Sequence, residues 1–434
     1  MTPQSNFMVM APLDPNRAND LRKLLASMNR GPGVVNSDND VVPFGRFDRL
    51  HFARFVILDD RTQDDFTKAY GLPHPSFPVY LAFLGDCDGP ADDFLTDLAR
   101  RAEDGLRRIF SCCQGFAPDA DLGRWMKDHE QRPATEYVNW LGRTLKQIRE
   151  EDALHNALEA YLDANAATLA KEGPRQIRDA LCAYTSEERH AGRLTLTKSE
   201  PTPLDWQLRN LLNLLGVPIA LLLISPLLVL YLPIFAFQLR RRELQDLEIA
   251  PRPDPGHVKE LADLEDYSVT NQFTAFGIVK PGWFRKWTLS FILWAVNYTA
   301  QHIYNRGHLT RVGTIHFARW VFIDEKQRLM FASNYDGSLD SYMDDFINKV
   351  GWGLNLVFSN GIGYLRTNWL IFDGAKDEQK FKYYIRSHEL PSEVWYDAHP
   401  RLTTFDLKRN TMIREGLERQ SISDAEIHEW LRLF

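Results

Sequence analysis

One stretch of this chain is written twice. Residues 51–59 read HFARFVILD and residues 316–324 read HFARWVFID, six identities in nine. A second block aligns without gaps over 29 residues, 88–116 against 336–364, with nine identical pairs. These include Asp88/Asp336, Gly89/Gly337, Gly105/Gly353 and Phe110/Phe358. Unrelated segments of ordinary composition share about two. A third echo sets WMKDHE, ending in His129-Glu130, against YIRSHE, ending in His388-Glu389. Three echoes in one order mean one ancestral domain present twice. Any fold for this chain must therefore be buildable from two like halves.

Hydrophobic periodicity gives each half its elements. In the first, FMVMAPL is a strand and DPNRANDLRKLLASM a helix opened by Asp and Pro. RLHFARFVILD and VYLAFLGD have strand character. Residues 90–112 read as one amphipathic helix with Phe94, Leu95, Leu98, Leu106 and Ile109 inward. The second half repeats the order: strand FTAFGIVK, helix GWFRKWTLSFILWAVNYTAQHIY, strands TIHFARWVFID and RLMFASNYD, and a helix at 338–358. A strand at 367–373, a helix at 377–388 and a last strand at 392–399 follow. The order β-α-β-β-α-β is the ferredoxin-like motif. The expected fold class is α+β, two ferredoxin-like domains from an internal duplication with a helical membrane-associating insertion. The expected domains are 1–149 and 265–434. Between them lie a helical connector (150–205), an apolar segment (206–245) and a linker (246–264).

The apolar segment runs from Leu211 to Phe237, 27 residues without a charge. A spanning helix needs roughly 20. Arg209 precedes it and Arg240, Arg241 and Arg242 follow. The expected partner of this run is membrane lipid. Pro218, Pro226 and Pro233 interrupt it, and proline kinks a helix. A single crossing puts the two halves on opposite sides of the bilayer, where their sheets cannot pair. A kinked hairpin dipping into one leaflet keeps both halves on one face, and the arginines favour the anionic cytoplasmic leaflet. A single span with separated domains is the alternative. A second apolar stretch, LSFILWAVNY, is flanked by Arg285, Lys286 and Arg306. It reads as the buried face of a helix that could also touch lipid.

Composition narrows the function classes. The net charge is −7, from 51 basic and 58 acidic residues, with no basic stripe, so nucleic acid is not expected as a partner. Cys87, Cys112, Cys113 and Cys182 form no CxxC motif, which fits a reducing compartment better than a disulfide framework. The N-terminal residues show no secretory signal pattern. His129-Glu130 and His388-Glu389 lack a second histidine four residues after the first, since Pro133 and Ser392 stand there. They are therefore helix-end residues and not a zinc site. No Walker A loop, dinucleotide fingerprint or GxSxG is present.

The duplicated HFAR carries the first candidate site residues. On a regular strand His51 and Arg54 point to opposite faces, as do His316 and Arg319. A buried His or Arg needs a partner. Asp336 ends the next strand near His316, so Asp336 and Asp88 are the expected partners of Arg319 and Arg54, or of the histidines if the hairpin register hands them over. One reading is a structural ion pair that fixes each repeat; the other is a site. Asp88-Gly89 and Asp336-Gly337 also precede helices, where Asp can cap and Gly can turn.

Two ferredoxin-like units in one chain resemble the dimeric α/β-barrel superfamily, which includes dye-decolourising peroxidases and chlorite dismutases. The resemblance lies in element order over roughly 290 residues and bears on fold, not function. Gly85-Asp86-Cys87-Asp88-Gly89 is similar to the G-x-x-D-G pattern of the dye-decolourising peroxidases, from which the second copy departs at Ser333. Asp397-Ala398-His399-Pro400-Arg401 resembles the segment that carries their proximal haem histidine. The resemblance implies haem, with His399 as iron ligand, Asp88 or Asp336 as distal acid and Arg54 or Arg319 as distal cation. Two function readings follow. One is a membrane-associated oxidoreductase acting on a lipophilic substrate in a cleft between the halves. The other is a non-catalytic lipid-binding or scaffold protein of the same fold.

Overall fold

The computed structural model describes residues 1–303 and 312–434; Tyr304 and Arg306 lie outside them. Eight strands carry the architecture: β1 (Gln4–Pro12), β2 (Leu50–Leu58), β3 (Tyr80–Asp88), β4 (Thr135–Val138), β5 (Thr270–Ile278), β6 (Ile315–Ile323), β7 (Arg328–Asp336) and β8 (Ser392–Asp397). They form two antiparallel four-stranded sheets, β1-β3-β2-β8 and β4-β6-β7-β5. The fold is thus mixed α/β, with antiparallel sheets and one long apolar helix.

Each sheet takes its last strand from the other half of the chain. β4 leaves the N-terminal half and pairs with β6, Thr135 opposite Trp320 and Val138 opposite Phe317. β8 leaves the C-terminal half and pairs with β2, Trp395 opposite Arg54. Just before each crossing the chain touches its own sheet. The Gln131 amide donates to the Met8 carbonyl at 2.7 Å, and the Leu390 amide to that of Thr274 at 2.8 Å. Each seam is bridged by a short run of backbone bonds just before the crossing strand, so the two sheets meet edge to edge in a ring. Neither half-chain contains a complete sheet.

Side-chain alternation along β2 shows why the ring holds. Ala53, Phe55 and Ile57 face outward to helices, while Val56 and Leu58 face the space between the sheets. There Met8, Met10 and Leu84 meet Phe276, Val321 and Met330 of the other sheet. Outside the first sheet pack α1 (Ala18–Ala26), α2 (Ala91–Arg101), α3 (Glu103–Phe110) and α4 (Leu122–Asp128). The single helix expected over 90–112 is broken at Ala102, where φ is −123°. After β4 come α5 (Leu145–Ala164), α6 (Pro174–His190) and α7 (Leu204–Glu243). The second sheet is covered by α8 (Trp283–His302), α9 (Leu339–Phe358) and α10 (Glu378–His388). α11 (Thr404–Glu418) and α12 (Asp424–Leu431) join α5 and α6 in a separate helical cluster. The strand expected over 367–373 is instead a tight hairpin of Thr367–Asn368 with Phe372–Asp373.

The apolar segment differs most from expectation. α7 is one continuous helix of 40 residues, about 60 Å long. Pro218, Pro226 and Pro233 lie inside it. A proline removes one ladder bond and bends the axis, but chain reversal needs several consecutive non-helical residues, and none interrupts α7. The kinked hairpin is therefore replaced by a long bent rod.

The exchange makes a direct prediction. Residues 265–434 expressed alone lack β4 and expose the edge of β6, so they should aggregate. Co-expression with residues 1–264 should yield a soluble or detergent-soluble complex that co-purifies. A monodisperse, cooperatively melting 265–434 fragment would contradict the exchanged arrangement.

Candidate functional site

The duplicated motif lies at one mouth of the ring. A register shift between Leu50 and Phe52 against β3 makes His51 the extra residue of a β-bulge. The shift between Ile315 and Phe317 does the same for His316. A bulge re-aims a side chain. Each histidine therefore turns inward, to the side that Arg54 or Arg319 also faces, and the opposite-face expectation fails for this reason. His51 Nε2 meets Asp88 Oδ1 at 2.9 Å, and His316 Nε2 meets Asp336 Oδ1 at 2.7 Å, all four side chains buried. The register thus hands both aspartates to the histidines.

The other carboxylate oxygen of each aspartate caps a distant helix. Asp88 Oδ2 accepts from the Leu145 amide, the first residue of α5, at 2.8 Å. Asp336 Oδ2 accepts from the Thr404 amide at the start of α11 at 2.8 Å. These helices follow the exchanged strands, so the aspartates do not cap the helices next to them in sequence. Thr144 and Thr403 complete both ends as capping boxes. The bulge carbonyls are used as well: Asn139 N–H donates to His316 O and Ala398 N–H to His51 O, each at 2.9 Å. Burial alone would raise Asp336, but the His316 imidazole and the Thr404 donors hold it below its ordinary value.

The arginines reach across the ring. Arg54, on the first sheet, donates to the carbonyls of Phe273 and Ser333, both at 2.9 Å, and to Asn334 Oδ1. Arg319, on the second, donates to the carbonyls of Phe7 (2.9 Å) and Gly85 (3.2 Å) and to Asp86 Oδ1. Asp86 Oδ2 also accepts from Asn334 Nδ2 at 3.0 Å. Burial, followed by the Arg319 charge, lowers Arg54 to about 9. Burial raises Asp86 against the pull of both arginines. A Cβ at Gly85 would lie 2.5 Å from the Phe52 carbonyl and 2.6 Å from the Phe7 ring, so only glycine allows this approach. Asp86, read only as part of the G-x-x-D-G pattern, and Asn334 were not among the candidate site residues. The ungapped alignment that pairs Asp88 with Asp336, carried back two residues, would have matched them.

His399 is buried between the two histidine–aspartate pairs. Its ring centroid lies 5.0 Å from Phe52, 5.6 Å from His316 and 6.0 Å from His51. Its Nδ1 is 3.5 Å from Asp397 Oδ1 and makes no hydrogen bond. The space beside it, lined by Gln4, Trp140, Phe317 and Leu407 among others, is about 10 Å³, no more than one water needs. Small-molecule sites usually offer ~300–1,000 Å³. Three rings crowd His399, and no open face is left for a porphyrin, so these residues do not fit haem. Among the described residues no group of three or more His, Cys, Asp or Glu has the spacing to hold a metal ion.

A search finds no matching protein-family model, curated protein or solved structure.

α7 is the remaining feature of the chain that demands a partner. No residue of its most apolar window is buried. Pro218 cannot donate to the Leu214 carbonyl, and the Tyr298 hydroxyl of α8 does so instead, at 3.1 Å. Pro226 likewise frees the Leu222 carbonyl, which accepts from Ser225 Oγ at 2.7 Å. The rod meets the body at a few points. Thr202 Oγ1, just before it, accepts from the N-terminal ammonium at 3.0 Å. Phe235 packs at a tilt against Phe284 of α8, 5.4 Å between centroids. Buried Glu243 accepts from the Trp369 amide at 3.0 Å and the Leu370 amide at 2.8 Å. α7 thus begins and ends on the same body, antiparallel to α8. Ser225-Pro226 stands near the middle of the run in the sequence, whereas nothing in the sequence marks Tyr298 as the partner of Leu214.

Two predictions follow from the ring. Arg319→Ala strands buried Asp86 and should cost about 3–5 kcal/mol of unfolding free energy. Adding Asp86→Asn should return part of it, as read by denaturant melts of the parent, single and double variants. The second concerns Asp397 and His399. Burial raises Asp397 to about 7. The fold then holds a proton that an unfolded carboxylate loses above about pH 4, and stability falls as pH rises to about 7. Burial, with His316 and His51 adding, keeps His399 well below its ordinary value. The unfolded imidazole binds a proton below about pH 6.5 that the fold does not, so stability rises with pH toward that value. In the parent the two slopes oppose each other. Asp397→Asn should leave stability rising between about pH 4.5 and 6.5, and His399→Gln should leave it falling. Denaturant melts across that window check the signs.

Proposed function

We propose that this chain is a monotopic membrane protein, a strand-exchanged barrel seated on one leaflet by α7, whose work is to bind a lipid surface. The observation that carries the proposal is α7 itself, a rod with an exposed, charge-free stretch from Leu211 to Phe237 whose proline-freed carbonyls at Leu214 and Leu222 are bonded by hydroxyls. In water such carbonyls are satisfied by solvent. In hydrocarbon they need an internal donor, and hydroxyl side chains are the usual one. Fastening at both ends to one body argues against a single crossing with a half on each side. Arg240, Arg241 and Arg242 at the end of the rod favour the anionic cytoplasmic leaflet.

We infer further that the two halves are ferredoxin-like copies of one ancestor, with their last strands exchanged as in a dimeric α/β-barrel. The support is residue by residue: bulged His51 and His316, crossing Arg54 and Arg319, and capping Asp88 and Asp336 occupy matching places. The same correspondence favours lipid binding over an oxidoreductase acting between the sheets. Phe52, Phe317 and Trp395 fill that space, and the arginines spend their donors on backbone carbonyls and amide or carboxylate side chains.

The test is flotation with phospholipid vesicles. The full chain should float with vesicles and resist carbonate wash. Leu222→Asp combined with Leu230→Asp, both exposed on α7, should leave the melting of the body unchanged and abolish flotation. A parent protein that stays soluble and monomeric beside vesicles would sink the proposal.

A further inference from the structure

α7 is not alone on its side of the molecule. α8 buries Phe284, Leu289, Ile292 and Leu293 against the second sheet. Its opposite face carries Trp283 and Trp287, each 65% exposed, Phe291 at 55% and Trp294 at 41%. Four large aromatic side chains on one exposed helix face are an uncommon surface for a protein surrounded by water.

Helix geometry places this stripe beside α7. At about 100° per residue, Phe284 and Tyr298, which touch α7, lie about 40° apart around α8. The four exposed rings span about 80° and are centred about 45° from that contact. The stripe and the rod are therefore neighbours, and the apolar surface of one continues into the other. Half-buried Asn210, Val217, Leu221 and Phe235 recur at spacings of 7, 4 and 14 residues, so one side of α7 rests on the body and the rest stays open.

Charge at the stripe fits phospholipid. Lys326 Nζ sits 5.0 Å from the centroid of the Trp287 ring and 5.3 Å from that of Phe322. Lys286, one residue from Trp287, donates to the Glu325 carbonyl at 3.2 Å. Aromatic rings edged by ammonium groups match the boundary between headgroups and acyl chains, where Trp is enriched and Lys reaches the phosphates.

We infer that α8 is a second membrane-contact element, with Trp283, Trp287, Phe291 and Trp294 inserted at the headgroup boundary of the leaflet that receives α7. This rests on the lipid-surface reading above and adds the depth and orientation at which the body sits. The rod supplies burial in the acyl layer, and the ring stripe fixes the rotation of the body about the rod.

The experiment uses the full chain and vesicles of phosphatidylcholine with and without phosphatidylserine. Trp283→Ala/Trp287→Ala/Phe291→Ala/Trp294→Ala should partition about tenfold or more less strongly than the parent. Trp283→Phe/Trp287→Phe/Trp294→Phe preserves packing and should bind, but lose much of the emission that brominated acyl chains quench in the parent. Equal partitioning of the alanine variant, or unchanged quenching in the phenylalanine variant, overturns the inference. So does a shift of the alanine variant from dimer to monomer with vesicle binding intact, which would assign the stripe to a second copy. If the alanine variant fails to fold, quenching in the phenylalanine variant decides. A parent that does not partition removes both readings. A parent that partitions, loses binding on α7 substitution and keeps it on stripe substitution removes only this one.

Discussion

Arg54 and Arg319 cross the space between the sheets in opposite directions, and each ends on the backbone of the sheet it does not belong to. That crossing determines much of what surrounds it. A guanidinium taken out of water is tolerable only if its donors are used. Here they meet the Phe273 and Ser333 carbonyls on one side, the Phe7 and Gly85 carbonyls on the other, and the Asp86–Asn334 pair between. Carbonyls of paired strands have fixed positions, so the arginines accept one relative placement of the sheets. The apolar layer of Met8, Val56, Val321 and Met330 supplies most of the burial, but apolar contact alone tolerates sliding.

The histidines do for the helices what the arginines do for the sheets. Each sits at a bulge, takes a carboxylate from the neighbouring strand, and through it holds the amide that begins the helix after an exchanged strand. Strand exchange costs conformational entropy, because a segment must leave its own half and order itself on the other. A buried aspartate bonded to a helix N-terminus offsets part of that cost through the dipole and the unsatisfied amides there. HFAR therefore recurs for a structural reason: an exchanged pair of halves needs each clamp twice. Asp397 and His399, close to where the two sets meet, have no counterpart of the same chemistry. Val138 and Trp140 stand at the matching places before α5.

The elements of each half were legible because their hydrophobic periods are strong and because like stretches of sequence recur in both halves. The strands at 50–58 and 315–323 and the inward residues of α2 and α3 needed no tertiary information. Asp88 and Asp336 were legible as partners of either the arginines or the histidines, but not of which, because one extra residue at His51 and at His316 reverses which side a ring faces. Nothing local in HFAR announces that bulge. The exchange was hidden too, since a strand reads the same whichever sheet receives it. Gly105 illustrates the limit of the repeat: a Cβ there would fall 1.7 Å from the Val41 carbonyl, yet its twin Gly353 has open space.

The same reasoning separates two meanings of proline in an apolar run. From sequence, Pro218, Pro226 and Pro233 suggest a turn, because each removes a ladder bond. What matters physically is where the freed carbonyl goes. Water would satisfy it at a surface loop, and a reversal would then be inexpensive. In α7 the Leu214 carbonyl is bonded from a neighbouring helix and the Leu222 carbonyl from within its own turn. The backbone thus keeps its helical path with two of the three interruptions repaired without solvent. A rod repaired in that way, with leucines outward around most of its circumference, is what the proposed lipid seat requires. The hydroxyl that makes one repair stands on α8, so the helix bearing the aromatic stripe is also bonded to the rod.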